Sequence, residues 1–173
     1  MTRLIPLPSS LDHDKFLAAY GGVYEASPWV AEAVWPRVPQ GALDDVVMMR
    51  GAMCVAVETA SAEMQMQLVR AHPELAGRAA IAGDMTEESK SEQKGAGLDR
   101  CSPEEFAEFM TLNAAYNEKF GFPFIIAVKG HDRNSILSAF RERLKNDAVV
   151  ELKTALEQIH RIAAIRLSAM AQE

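Results

Sequence analysis

"CSPEEFAEFMTLNAAYNEKFGFPFIIAVKG", residues 101–130, decides how this chain is read. It opens on a full helix-start signal. Ser102 is an N-cap, Pro103 takes the first helical position, where a missing N–H costs nothing, and Glu105 can reach back to close a capping box. The spacing predicts a helix to about Phe120, with Gly121 as its left-handed stop. Beyond that glycine the helical pattern is lost. "GFPFIIAVKG" is short, contains a proline and is apolar without a 3.6-residue period, so residues 121–130 are expected as a buried extended connector or a short edge strand.

Outward from this stretch, the punctuation is that of further helices. On the N-terminal side, Ser10 can cap a helix through about Tyr20, stopped by Gly21 and Gly22. Ser27 and Pro28 open a short helix that Pro36 closes. From about Leu43 to Ala71, Val46, Val47, Met53, Cys54, Val57, Met64, Met66 and Leu68 recur at three and four, with Gly51 able to kink or divide the run. Thr86 looks like another N-cap. On the C-terminal side, Asn134 and Asp147 open the last two helices. There is no repeat, no low-complexity tract and no alternation of strands with helices. The expected architecture is a single all-α domain, 1–173, of about seven to nine helices with one apolar connector.

Bulk properties narrow the function. At 173 residues, 49% hydrophobic and 24% charged, the chain can bury a sizeable core and is not disordered in composition. A net charge of −6 argues against nucleic-acid or anionic-membrane partners, which need a basic face. No apolar run reaches the ~18 residues of a membrane span, and no signal-peptide pattern opens the chain. The two cysteines, Cys54 and Cys101, have no CxxC spacing, which points to a reducing, cytoplasmic setting; Cys54 is expected as a small core side chain. No HxxxH, HxH or His/Cys cluster supplies three metal ligands, and no phosphate loop or GxSxG is present, so neither metal nor nucleotide cofactor is expected.

Three features carry chemistry. In "LVRAHPELAGR" (residues 68–78) a helix-like run stops at His72 because the following Pro73 disfavours the α region. The imidazole is either a cap, a packed core residue or a group held toward a pocket. In "SKSEQKGAGLD", Ser89, Glu92 and Gln93 fall at i, i+3 and i+4 and project from one helix face, offering a hydroxyl, a carboxylate and an amide; the alternative is a solvated surface. In the last helix Leu152, Leu156, Ile159, Ala163, Arg166 and Met170 form one stripe, which places Arg166 on the apolar side, whereas Arg161 reads as solvated. A guanidinium there requires an anion: an internal carboxylate or an anionic ligand.

Taken together, "YEASPWVAEAVW", "AHPELAGR", "SKSEQKGAGLD", "LNAAYNEKFGFPFIIAVKG" and "ALEQIHRIAAIRL", in that order, resemble the 2-oxo-4-hydroxy-4-carboxy-5-ureidoimidazoline (OHCU) decarboxylases of urate breakdown, over about residues 15–168. The resemblance implies an all-helical, cofactor-independent homodimer acting on a small ureide to give (S)-allantoin and carbon dioxide. It implies His72 and Glu92 as the catalytic pair, His72 as acid/base and Glu92 holding the ureido group and tuning the imidazole. Pro73, Ser89, Gln93 and Arg166 would contact substrate, together with the backbone around Phe124, Ile125, Ile126, Ala127 and Val128. Two other readings remain open from the sequence: a non-catalytic all-α interaction module, and a paralogue acting on another ureide.

Overall fold

A computed structural model describes residues 2–77 and 85–172 of the chain. Arg78, the last residue of the histidine–proline motif, lies outside the described residues. Eight α-helices occur among those described, with the all-α class expected from the sequence. Contacts group into two compact units: Met1–Ala71 with His160–Glu173, and His72–Ile159.

The first unit holds α1 (His13–Tyr20), α2 (Trp29–Val34), α3 (Val46–Glu58) and α4 (Ala62–Arg70), plus the last ten residues of α8 (Ala148–Ala169). Its starts differ from the sequence reading where a closer acceptor exists. Ser10 sits in a 3-10 turn, and Asp12 caps α1 by accepting the Lys15 amide. Pro28, rather than Ser27, occupies the cap of α2. The long apolar run divides between Glu58 and Ala62, not at Gly51, because Asp45 and Ser61 each cap a separate helix by accepting backbone N–H groups. One pairing had no sequence signal: β1 (Arg3–Leu4) runs antiparallel to β2 (Ala171–Gln172), Arg3 opposite Gln172. Leu4, Phe16, Tyr20, Leu43, Met49 and Met53 form the core of this unit and are fully buried.

The second unit holds α5 (Glu87–Gly95), α6 (Pro103–Phe120), α7 (Arg133–Arg143) and the first part of α8. The capping box at Ser102 and Glu105 forms as the sequence predicts, and Gly121 takes φ 74° at the other end of α6. Asp132, rather than Asn134, opens α7 by accepting from the Ser135 amide. Asp147 accepts from Val149 and Val150 at the start of α8.

The connector after Gly121 is extended and buried, but it is not a strand: Phe122, Phe124, Ile125, Ile126, Ala127 and Val128 are all in the core. Aromatic packing holds it there. Phe124 stacks on Phe140 at 3.9 Å between centroids, and the Tyr116 ring meets Phe124 edge-on at 5.5 Å. A polar knot locks the other side. Glu151, fully buried, accepts from the Tyr116 hydroxyl, from Arg143 Nε at 2.8 Å and from Asn146 Nδ2 at 2.8 Å. Arg143 also donates to the Ile125 carbonyl at 2.5 Å and lies 4.4 Å over the Phe124 ring. The arginine therefore ties connector to helix with its charge neutralised by Glu151.

Candidate functional site

The chain leaves α4 through Ala71 and turns at His72 and Pro73, where the sequence expects the helix to break. His72 is 8% exposed, so its imidazole is held inside the protein and is not a surface cap.

Side-chain hydrogen bonds from two helices hold the loop. Gln93 of α5 accepts the Ala76 amide on Oε1 at 3.1 Å and donates from Nε2 to the Glu74 carbonyl at 3.2 Å. Asn113 of α6 donates to the Leu75 carbonyl at 3.0 Å, and Asn117, one turn further on, donates to the Glu74 carboxylate at 2.6 Å. Backbone groups outside regular structure need partners when buried, and here amides from α5 and α6 supply them. Ala76 takes φ 50°, an uncommon value for a residue with a Cβ. Gly77 has no room for one: a Cβ there would come within 2.6 Å of Glu74 Cβ. The loop is thus a fixed object. Sequence reasoning missed Asn113 and Asn117, which sit in a helix with no distinguishing pattern.

The three polar residues of "SxxEQ" do share one face of α5, and the face is not a solvated surface. Ser89 and Gln93 are buried and Glu92 is half-buried. Thr86 caps the helix by accepting from the Ser89 amide, placing Ser89 in the first turn, where N–H groups point out of the helix end. Gln93, expected as a substrate ligand, instead spends both ends of its amide on the His72 loop, with Nε2 also 3.3 Å from Met85 Sδ. Pro73 is half-buried beside His72. At the far end of the loop, Ala76 borders a cavity of about 480 Å³ whose lining includes Leu98, Cys101 and Phe106 but not His72.

The connector offers backbone to the site in an alternating way. In extended chain, successive residues present N–H and C=O to opposite edges. The Ala127 amide donates to Gln158 Oε1 at 3.0 Å and the Ile125 carbonyl accepts from Arg143, so these two serve one edge. On the other edge Val128 O accepts from the His131 amide at 2.9 Å. The buried backbone of Ile126 makes no hydrogen bond among the described residues.

Arg166 lies in the first unit, on the buried stripe of α8 as the periodicity predicts, while Arg161 is exposed. Its NH1 pairs with Glu25 Oε2 at 2.9 Å and donates to the Gly22 carbonyl at 3.2 Å. Both members of the pair are nearly inaccessible, 8% and 4% by side chain. The anion that the buried guanidinium requires is therefore supplied within the protein, by a glutamate the sequence did not single out.

Cys54 is half-buried, not a core residue, and folding brings its thiol together with Glu58 and His160. No spacing rule finds that trio, since Cys54 and Glu58 share α3 while His160 comes from α8, about a hundred residues away. Burial and the neighbouring Glu58 push the Cys54 thiol above its ordinary range.

Comparison with known proteins shows the family of the chain. The family model described as OHCU decarboxylase matches residues 9–168. A curated 2-oxo-4-hydroxy-4-carboxy-5-ureidoimidazoline decarboxylase of Halalkalicoccus jeotgali is 42% identical over 168 residues, covering 96% of this chain and 92% of that protein. Its namesake in Haloferax volcanii is 43% identical, covering 91% and 90%. A uric acid degradation bifunctional protein of a Bacillus species is 38% identical over all of this chain, which spans 33% of that longer protein. Among solved structures, a crystal structure of (S)-allantoin synthase superposes with a TM-score of 0.74 at 29% identity, over 94% of this chain and 52% of that one, so the chain spans about half of its length. A crystal structure of OHCU decarboxylase in the presence of (S)-allantoin gives a TM-score of 0.58 at 25% identity, over 71% and 78%. This chain belongs to the OHCU decarboxylase family.

Proposed function

We propose that this protein decarboxylates OHCU to (S)-allantoin and carbon dioxide in urate breakdown, with His72 as its acid/base. The observation that carries the reading is the loop itself: an imidazole turned inward just before Pro73, on a backbone that Gln93 and Asn113 fix from two helices. Such fixing is what an acid/base catalyst needs, since it must meet the same substrate proton in each turnover.

The substrate explains why so few groups suffice. The departing carboxylate of OHCU sits on a carbon that also bears a hydroxyl, next to a ring C=N. When the carbon–carboxylate bond breaks, its electron pair forms a C=C bond and the C=N pair moves onto nitrogen, which takes a proton. The hydroxyl then loses its proton and the neighbouring ring carbon gains one, giving allantoin. His72 removes the hydroxyl proton and returns one to a single face of the ring carbon, a task for which an imidazole's ordinary range is suited. Glu92 and Ser89 hold the ureido and ring polar groups from α5, and Pro73 contacts the substrate beside His72. The unused Ile126 backbone edge, flanked by Phe124, Ile125, Ala127 and Val128, is available to ring N–H and C=O groups. Gln93 serves by holding the loop.

OHCU decays spontaneously, so the discriminating signal is the hand of the product. Circular dichroism of allantoin from freshly generated OHCU is expected to show the S form with the wild type and spontaneous, racemic product with His72→Asn. Stereospecific turnover by His72→Asn at the wild-type rate overturns the assignment; turnover of allantoin or allantoate in place of OHCU indicates another ureide. We also propose a cytoplasmic homodimer, for which the exposed Val47, Met48 and Val55 of α3 offer an apolar face. Among the described residues no helix is long and apolar enough to cross a membrane.

A further inference from the structure

We propose that Cys54 and Glu58 of α3 and His160 of α8 form a binding site for one zinc-type metal ion, with Tyr24 as its supporting residue. Cys54 and Glu58 are four residues apart and so share a helix face. The Cys54 thiol already donates to Glu58 Oε1 at 3.6 Å. With the His160 ring nitrogen, the three donor atoms lie within 4.8 Å of one another. A tetrahedral ion with bonds of about 2.0–2.3 Å sets its ligand atoms about 3.5 Å apart. The thiol–carboxylate separation meets that figure, and the widest separation has to close by only about 1 Å, which side-chain rotation on half-buried and exposed residues supplies.

The donor set selects the ion. One thiolate, one imidazole and one carboxylate suit zinc and its neighbours, whereas magnesium and calcium take oxygen. Three protein ligands leave the fourth position to water or to a ligand from solution. Outside the trio, the Tyr24 hydroxyl meets His160 Nδ1 at 2.8 Å and its ring packs edge-on against the imidazole at 5.9 Å. Metal-ligating histidines are commonly oriented by this kind of outer partner. Tyr24 is itself buried.

Binding requires the thiolate. Burial and Glu58 raise the Cys54 thiol, against which Arg50 acts in the opposite direction. The ion displaces the thiol proton to solvent, forming one metal–sulfur bond with no change of oxidation state.

The test uses the full chain after treatment with a chelator, titrated with zinc chloride by calorimetry and with cobalt chloride by absorption. Expected are one equivalent bound, a thiolate-to-cobalt charge-transfer band and a higher Tm with zinc. Cys54→Ser and His160→Gln are expected to weaken binding by more than about 100-fold, and Tyr24→Phe by about 10- to 100-fold. Alkylation covers the case of a variant that fails to fold: zinc should protect Cys54 of the wild type and leave Cys101 reactive. A Kd of about 1 mM or weaker overturns the proposal, as does wild-type affinity in Cys54→Ser or equal protection of both thiols. His72→Asn should bind zinc unchanged; loss of binding there would place the ion elsewhere and also overturn it.

Discussion

Gln93 and Ala76 are joined by a hydrogen bond of 3.1 Å, and the other end of the same amide takes the Glu74 carbonyl at 3.2 Å. A single side chain of α5 thereby ties two points of the loop that carries His72. Gln93→Ala leaves a buried N–H and C=O unpaired, each at a cost of about 1–3 kcal/mol. The expected result is a lower Tm together with a fall in kcat for OHCU that exceeds any change in KM, because the proposed catalyst moves while the ureide contacts proposed for Ser89 and Glu92 remain. A variant with wild-type kcat would remove Gln93 from the positioning of His72.

Gly77→Ala tests the same loop from the other side. The added Cβ would sit 2.6 Å from Glu74 Cβ and 2.9 Å from Glu74 Oε2, so the Glu74 carboxylate must leave Asn117. A cost of about 1–3 kcal/mol is expected from such overpacking, read as a lower urea midpoint, with loss of stereospecific product in proportion.

Glu151→Gln should be among the most damaging single changes. It removes the counter-charge of Arg143, whose side chain is 12% exposed, and breaking a buried pair from one side costs about 3–5 kcal/mol. Replacing both, as Arg143→Met with Glu151→Leu, should recover much of the stability while freeing the Ile125 carbonyl. Equilibrium unfolding of the single and double variants measures the coupling directly.

The acid limb of stability depends partly on Glu105. Its carboxylate accepts from the Ser102 amide and pairs with Arg133 Nε at 2.9 Å, and these hold it below the usual carboxylate range, the backbone bond contributing most. A depressed folded value means that the contribution is full above the unfolded value of about 4.3 and disappears as pH falls through the folded value. Glu105→Gln is therefore expected to lower Tm at pH 7 and to give a shallower decline of Tm below about pH 4.3. Parallel wild-type and variant curves throughout would contradict this.

Arg166→Lys tests the substrate contact that the family resemblance implies for that residue against its pairing with Glu25. An ammonium can keep the charge partnership with Glu25 but cannot present a planar fork to a carboxylate. A charge-assisted hydrogen bond of about 1.5–3 kcal/mol lost from the substrate corresponds to about a 10- to 150-fold rise in KM. An unchanged KM with a lower Tm confines Arg166 to the internal pair.

The sequence by itself determined the helices and the residue types of the site. Caps at Ser102, Thr86 and Asp147, the stop at Gly121 and the break before Pro73 are local decisions, settled by backbone sterics and by side chains bonding amides two or three residues away. The same locality explains the misplaced starts at Ser10, Ser27 and Asn134, where a neighbouring residue took the cap. Periodicity put Arg166 on the buried stripe for a similarly local reason. Only the tertiary structure decided which partners meet: Gln93 with Ala76, Arg166 with Glu25, Glu151 with Arg143 and Tyr116, and Cys54 with His160. Such pairs are chosen by packing between elements distant in the chain, and a buried polar group records that it needs a partner without recording which one.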